Sequence, residues 1–410
     1  MSQPRPDASV EAIPTEPGRH HRPASVPVRI FATCITSVVV AVQYTNYGPL
    51  IPVMSKDLHI NGGQVGLMST FLFLGLAIMY IPAGALVDRY GQRPVLIGFS
   101  AVLVLGGVLL PIIPNLTWIL FCRLLIGCGA GGTFVAGAGV AASLGKYAPV
   151  GQGLYGGSVQ IGSGLGLLLT PHLYTWFNWP GAFLFWGLLG IASIVAWILV
   201  DDGFEPHMRA KIDVRAGLRS PAVWTLGLSH MGTFGLGNAV AAWISVYLAH
   251  QYGLPLGLAA TLGSIALLSG MFFRPLGGIL IGRRVIGAIP FLRIGVMLGA
   301  AGVALLALPL RLAPITALGM VMIAFGSTAP YTSVFNEAAH LKGVGKGIAQ
   351  GLASMLSTPT ILLGPPLIGF LFGRSGSITL AFASILPFAC VAIIASFLAG
   401  PAVRHETLGS

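Results

Sequence analysis

The sequence predicts an all-α membrane protein of about twelve transmembrane helices, arranged as two pseudo-symmetric six-helix bundles. Three observations predict the membrane class: the 410-residue chain is 55% hydrophobic, it is only 8% charged, and its apolar residues form long continuous runs. Soluble domains carry far more charge, and transmembrane strands alternate apolar and polar residues. The mean hydropathy of +0.86 agrees with these observations. The runs are therefore interpreted as helices that cross a bilayer.

A helix needs about 20 apolar residues to cross about 30 Å of hydrocarbon. The chain divides into twelve such runs, at residues 29–53, 64–86, 95–113, 118–144, 153–173, 182–200, 222–249, 256–281, 290–308, 315–335, 348–372 and 378–398. Residues 29–200 are predicted to form the N-terminal bundle and residues 221–399 the C-terminal bundle. The polar segments 1–28, 201–220 and 400–410 are predicted to be a disordered tail without a cleaved signal peptide, a cytoplasmic linker and a second tail.

Lysine and arginine placement predicts the orientation. Of the 22 such residues, seventeen fall on the side of the termini, and Lys56, Arg311 and Arg374 fall on the other side. The positive-inside rule then makes both termini cytoplasmic in a multi-pass protein of the cell (inner) membrane. The net charge of +11 follows from this topology, so no nucleic-acid partner is expected.

An internal repeat is visible at an offset of 194 residues. The matched pairs are Gly84 with Gly278, Arg89 with Arg283, residues 151–153 (GQG) with 345–347 (GKG), and Pro171 with Pro365. A duplicated six-helix unit is one plan used by transporters, whose solute site lies near mid-membrane between the halves. The repeat therefore predicts a central site.

The loop between the second and third helices carries the densest motif. It reads GALVDRYGQR and contains Gly84, Asp88, Arg89, Gly91 and Arg93. Gly84 is expected to allow a close helix approach, and Asp88 to face a helix N-terminus or Arg89. The alternative is an ordinary charged loop that holds the topology.

The fourth helix adds Arg123 with Gly127, Gly129 and Gly131. With this pattern and the loop motif, the chain resembles the major facilitator superfamily over nearly its whole length. The resemblance implies two bundles that rock about a central site in alternating access, with Asp88 and the loop arginines stabilising one closed state on the cytoplasmic side. Gly282 stands where the second half would repeat the acid, so an asymmetric gate is expected.

Two arginines, Arg123 and Arg274, lie inside predicted spans, where a charge costs about 2.5 to 3.5 kcal/mol on insertion scales. Residues 274–278 (RPLGG) are similar to a pattern of nitrate/nitrite porters, in which an arginine binds the anion. Tyr80 occupies the position, 194 residues earlier, where such porters would carry a partner arginine, which argues against nitrate itself. Arg274 is predicted to contact substrate or act in gating, with hydrogen bonding to carbonyls as the alternative. Arg123 is assigned to gating or coupling, as family members often use it.

Uncharged polar residues complete the predicted substrate site. Gln43, Asn46 and Tyr47 share one face of the first helix by their spacing. Further candidates are Tyr80, Gln160, Asn238 and Tyr331. Each could instead join neighbouring helices through hydrogen bonds.

None of the eleven acids falls at mid-membrane. Two intramembrane arginines without a central acid favour a small anionic or carboxylate-bearing solute over a cation. Proton-coupled transporters commonly place an acid within the membrane. A coupling proton would therefore use His230, His172, Glu337 or the substrate itself.

Apparent enzyme motifs fail on context. Gly127, Gly129 and Gly132 satisfy GxGxxG but lie inside a predicted helix, so they are interpreted as packing residues. The four cysteines have no metal-ligand spacing. We predict no enzymatic activity, no cofactor and no metal.

The predicted function is a monomeric secondary active or facilitative transporter of a small solute. A drug or metabolite exporter of the same superfamily is the alternative, although Gln43 and residues 162–164 (GSG) stand where exporters often carry an acid and a glycine-proline signature. A non-transporting membrane sensor is the remaining alternative from another class.

Overall fold

A computed structural model describes residues 24–201 and 214–408. Within these ranges, eleven helices are long and apolar enough to cross a membrane, and one of them, Val150–Leu199, is bent and long enough for two crossings. The spans are α1 (Val26–Asp57), α2 (Gly62–Tyr90), α3 (Gln92–Ile112), α4 (Leu116–Ala142), α5 (148–177), α6 (179–199), α7 (Pro221–Tyr252), α8 (Leu256–Gly282), α9 (Ala288–Ala307), α10 (Ala313–Ala339), α11 (Gly347–Ser375) and α12 (Ile378–Thr407). The predicted helical membrane fold is confirmed.

The bend between α5 and α6 has a local cause. Asn178 adopts φ 55° and ψ 179°, which is not helical, and Pro180 follows it within the same stretch. A proline lacks the N–H that continues a helical ladder. The chain therefore reverses at this point, although the two helices remain contiguous in sequence.

Polar side chains fix several helix ends. Asn61 and Gln64 form a reciprocal capping box at the start of α2. At the start of α7, the Glu406 carboxylate accepts hydrogen bonds from the Ser220 hydroxyl (2.6 Å) and from the Ala222 N–H (3.0 Å). A carboxylate at this position satisfies donors that a helix N-terminus leaves unpaired.

The structure differs from the sequence-based expectation at three segment boundaries. The predicted tail 400–410 is helical as far as residue 408, because Glu406 ties the end of α12 to α7. Within the predicted linker 201–220, Val214–Arg219 forms a short helix, and residues 202–213 lie outside the described ranges. Within the predicted tail 1–28, α1 already begins at Val26, and residues 1–23 lie outside the described ranges.

The halves α1–α6 and α7–α12 repeat two hydrogen-bonding arrangements. In α3, Arg93 donates to the carbonyls of residues 197 and 198 (2.8 and 2.7 Å), and in α9, Arg293 donates to those of residues 396 and 397 (3.0 and 3.2 Å). Gln152 donates to the Ala138 carbonyl (2.9 Å), and Gln350 donates to the Phe335 carbonyl (3.0 Å). These arrangements support the duplicated unit.

The repeat nevertheless does not keep one offset. The equivalent glutamines are 198 residues apart, so residues 151–153 correspond to 349–351 and not to 345–347 as the constant offset predicted. The cause lies in the loops: only Gly91 separates α2 from α3, whereas residues 283–287 separate α8 from α9. A comparison of the two halves at one constant offset, without gaps, cannot account for loops of different length.

Glycines let α4 pack directly against its neighbours. A Cβ built on Gly127 would lie 2.0 Å from the Leu72 carbonyl oxygen of α2, and one on Gly129 would lie 2.5 Å from the Leu103 nitrogen of α3. Backbones that approach this closely admit only small residues. The packing role predicted for the fourth-helix glycines is confirmed.

The two halves meet most closely at the end of the bundle opposite the termini, which we call the far end. There, a Cβ on Gly369 of α11 would lie 2.2 Å from the Gly62 carbonyl oxygen of α2, and one on Gly66 would lie 2.6 Å from Pro365. A Cβ on Gly48 of α1 would similarly lie 2.8 Å from the Ala242 carbonyl oxygen of α7. These glycine contacts form the far-end seam, which closes the space between the halves on that side.

Candidate functional site

A small cavity lies between the two halves and is lined by residues from both. Its polar wall from the N-terminal half consists of Tyr44 on α1 and Tyr80 on α2. The polar wall from the C-terminal half consists of His230, Arg274, Tyr331, Ser354 and Ser357. Every charged or imidazole group in this wall therefore comes from the C-terminal half.

The helices of the C-terminal half are interrupted beside the cavity. Residues 231–235 of α7 form a π-helical turn directly after His230. The ladder of α10 breaks at Pro330, directly before Tyr331, and that of α11 breaks at residues 357–358. Such interruptions recur at functional sites, and at membrane depth they occur where backbone lines a cavity or is buried in protein. The three interruptions therefore lie next to the polar side chains that line the cavity.

Arg274 is the fixed positive charge of the cavity. Its side chain is 4% exposed, and one terminal nitrogen donates to the Gly156 carbonyl of α5 (2.7 Å). The Cζ atom lies 4.3 Å from the centre of the Tyr331 ring. The Nε atom has no hydrogen-bond partner within the described ranges. The guanidinium is thus held by neutral groups, and its charge is left without a counter-ion in that part of the chain.

His230 lies in the same wall and is 2% exposed. Its Nδ1 atom is 2.8 Å from the Thr233 hydroxyl, and its ring stacks on Phe234 with 5.6 Å between centroids. The ring also contacts Tyr331 (6.2 Å) and Phe335 (5.5 Å). The imidazole is therefore fixed by aromatic packing and one side-chain hydrogen bond.

The predicted pair Arg274 and Tyr80 does come together in this cavity. Tyr80 packs edge-on against Phe134 (6.4 Å), and Tyr44 packs against Phe73 (4.8 Å). Sequence reasoning did not single out Phe134 because aromatic residues are common in membrane helices. Tyr44 belongs to the same polar cluster of the first helix but was not assigned to the site, because it lies off the face shared by Gln43 and Asn46.

The predicted first-helix group lies elsewhere, in a buried network around Arg123. The guanidinium donates to the Gln43 carbonyl (3.1 Å) and to the Asn46 side-chain oxygen (3.0 Å). Asn46 in turn donates to the Gln43 side chain (2.9 Å), which donates to the Trp186 carbonyl (2.9 Å). The Arg123 Cζ atom lies 5.1 Å from the ring centre of Tyr47. The group does share one face, as expected, but this face contacts Arg123 and not the cavity.

Two other predicted residues also lie outside the cavity wall. Gln160 lines a second pocket between α5, α7, α8 and α10, together with Ser327. Asn238 donates to the Phe234 carbonyl of its own helix (2.9 Å). Their assignment to the substrate remains a sequence-based proposal.

The loop motif lies at the end of the bundle that holds the termini. Gly91 has φ 88°, a conformation that favours glycine, and Arg89 is exposed beside the Tyr90 ring (5.0 Å). A Cβ on Gly84 would meet no atom within 4 Å, so the expected close helix approach does not occur here, because the halves meet at the far end instead. The side chain of Asp88 lies outside the described residues.

Comparisons with known proteins give one matching family and several similar proteins. The profile of the Major Facilitator Superfamily matches residues 33–358. The nitrite extrusion protein of Bacillus subtilis is 25% identical over 84% of this chain and 87% of its own length. The probable anion transporter 6, chloroplastic, of Arabidopsis thaliana is 26% identical over 63% of this chain, and this match spans 56% of that protein. The structure is similar to that of a bacterial homologue of the human lysosomal transporter Spinster, with a TM-score of 0.75, 14% identity and coverage of 92% of this chain and 98% of that one.

Proposed function

The chain belongs to the major facilitator superfamily, and we propose that it carries a small anionic or carboxylate-bearing solute across the membrane by alternating access. The main observation that supports this proposal is the uncompensated charge of Arg274 in the central cavity. A buried charge is unfavourable unless it is paired and hydrogen-bonded. An anion that enters the cavity would supply the missing partner.

The partners of Arg274 support a mobile anion. A backbone carbonyl and an aromatic face stabilise a guanidinium, but neither neutralises its charge. Arg123 differs, because carbonyl and amide oxygens occupy both of its terminal nitrogens away from the cavity. Charge-assisted bonds between guanidinium and carboxylate or similar anions are about twice as strong as neutral hydrogen bonds. Arg274 is thus the group best placed to select an anion.

The hydroxyl groups of Tyr44, Tyr80 and Tyr331 are proposed to complete the anion site. Each belongs to a side chain in the cavity wall, and a phenol can donate one hydrogen bond. Tyr80 contributes a donor without a second charge. The site therefore suits a singly charged solute.

The closed far-end seam supports alternating access. Bundle rotation that parts the seam would bring the halves together at the opposite end, where Gly84 has free space. From the lysine and arginine distribution, we propose that both termini are cytoplasmic. Asp88, Arg89 and Arg93 are proposed to act at this cytoplasmic end, where the halves would come together when the seam parts. Because the cavity forms within one chain, the proposed transporting unit is a monomer.

A proteoliposome uptake screen tests the function. Nitrate, nitrite, pyruvate, lactate and benzenesulfonate are compared with uncharged urea, using wild type, Arg274→Ala and Arg311→Ala. Arg311 is exposed and remote from the cavity, so it controls for loss of one positive charge. We expect uptake of at least one anion, its loss by tenfold or more in Arg274→Ala, and no change in Arg311→Ala. Equal uptake by wild type and Arg274→Ala would remove the anion assignment.

A drug or metabolite exporter of the same superfamily is the second candidate. The observation that favours it is the aromatic share of the wall, since Phe134, Phe234 and Phe335 also line the cavity. Aromatic walls suit organic solutes with an apolar body. Competition of anion uptake by an uncharged aromatic compound such as benzamide would support this candidate, and lack of competition would exclude it.

A further inference from the structure

We propose that His230 is a proton-binding site and that a proton crosses the membrane together with the anion. This inference rests on the proposed anion transport and adds the coupling ion. The step is a protonation: the neutral imidazole binds one proton when the anion enters and releases it when the anion leaves. No covalent bond to the solute forms.

The hydrogen bonds of His230 fit a neutral ring that is protonated on Nδ1. The Thr233 hydroxyl lies 3.1 Å from the His230 carbonyl and 2.8 Å from Nδ1. When the hydroxyl donates to the carbonyl, Nδ1–H donates to the Thr233 oxygen, and Nε2 carries the lone pair. In either tautomer, a buried neutral imidazole in the cavity wall has one ring nitrogen that can bind a proton.

The groups around His230 make its protonation depend on the anion. The titratable or charged groups in the cavity are Arg274 from α8, Tyr331 from α10, Tyr44 from α1 and Tyr80 from α2. The hydroxyls of Ser354 and Ser357 face the cavity from α11, and near residue 232 the helices α9 and α12 contribute apolar side chains. No carboxylate lines the cavity within the described ranges.

A second positive charge beside Arg274 is unfavourable in a low-dielectric site. An anion bound at Arg274 removes most of this repulsion. Anion binding and protonation of His230 consequently favour each other, and this coupling is reciprocal. For a singly charged anion, the loaded cavity gains no net charge, which lowers the cost of carrying it through the membrane.

The other proton acceptors considered from the sequence lie outside this cavity. His172 is exposed on α5, with Nδ1 3.3 Å from the Leu168 carbonyl of its own helix. Glu337 is half-buried near the end of α10, and its side chain does not line the cavity. Neither residue contacts Arg274, so anion binding has no direct means to change its protonation.

The decisive experiment measures protons and anions together. Proteoliposomes with trapped pyranine receive nitrate, pyruvate or benzenesulfonate, which are ionised at neutral pH, and protein-free liposomes give the passive leak. We expect wild type to acidify the lumen with about one proton per anion. His230→Gln should take up anion more slowly and without acidification, and its uptake should accelerate under an inside-positive potential. His172→Gln should retain the wild-type ratio.

A second measurement needs no variant. Anion binding to the purified protein is followed by calorimetry in two buffers with different ionisation enthalpies, which reports proton uptake on binding. We expect proton uptake near neutral pH. Anion uptake by wild type without protons, or an unchanged proton ratio in His230→Gln, would overturn the coupling and leave anion transport intact. No uptake of any anion by wild type would refute the proposed function, and this proposal with it.

Discussion

Arg123 and Arg274 show how the same side chain takes two roles inside one membrane protein. Both are nearly fully buried, and both lie over aromatic rings. The Nε atom is unpaired in both, but the terminal nitrogens of Arg123 donate to acceptors of the first helix, whereas Arg274 borders a cavity. Local sequence cannot separate these cases, because the difference lies in residues that are remote along the chain.

At this scale we predict that Arg123→Leu destabilises the fold. The substitution removes the donors to the Gln43 carbonyl and the Asn46 side chain, both of which stay buried. Each unpaired buried polar group costs about 1 to 3 kcal/mol, so the free energy of unfolding should fall by at least about 2 kcal/mol. Thermal unfolding in detergent, followed by size-exclusion chromatography, measures the change. Arg374→Leu, at an exposed position, is the control. A stable Arg123→Leu protein that no longer binds anion would instead assign Arg123 to the substrate.

At the scale of helices, α11 brings together the features that shape this conformation. The helix is interrupted at residues 357–358 beside the cavity. The segment that follows the interruption places Gly369 in contact with Gly62 of α2. The same helix holds Gly373 one turn further on, where a Cβ would meet no atom within 4 Å. The chain thus supplies a matched pair of glycines for testing the seam.

We predict that Gly369→Ala slows transport by several-fold and that Gly373→Ala does not. Alanine favours a helix by about 1 kcal/mol over glycine, so propensity alone would stabilise both variants. Only at residue 369 would the added methyl overlap the Gly62 carbonyl and force α2 and α11 apart. Initial uptake rates at saturating anion, with protein amounts matched by blotting, provide the measurement. Identical rates for the two variants would show that the seam does not control turnover.

At the scale of the whole molecule, composition and the length of the apolar runs predicted the helical membrane fold. These signals are strong because a helix must satisfy its own backbone within lipid. The central cavity was harder to predict. Arg274, Tyr331 and His230 were found because charged and polar residues are rare within spans, and Tyr80 was found from its offset of 194 residues to Arg274. The structure brings all four into one cavity. The seam glycines were missed, since glycine is common along the chain and only packing distinguishes Gly369 from Gly373.

The closed seam makes a final prediction about movement of the halves. A Cβ built on Gly63 of α2 lies 3.3 Å from the Phe370 Cβ of α11, close to the 3.5 to 4.5 Å separation of disulfide-bonded cysteines. In a background with Cys34, Cys122, Cys128 and Cys390 replaced by serine, Gly63→Cys combined with Phe370→Cys should oxidise to a bond between the halves. Uptake should then stop and recover after reduction, because alternating access requires the far end to part. Each single cysteine variant is the control, since neither can form this bond. Full uptake by the oxidised double variant would mean that the two halves need not separate at the far end, and a rocking mechanism for this chain would have to be abandoned.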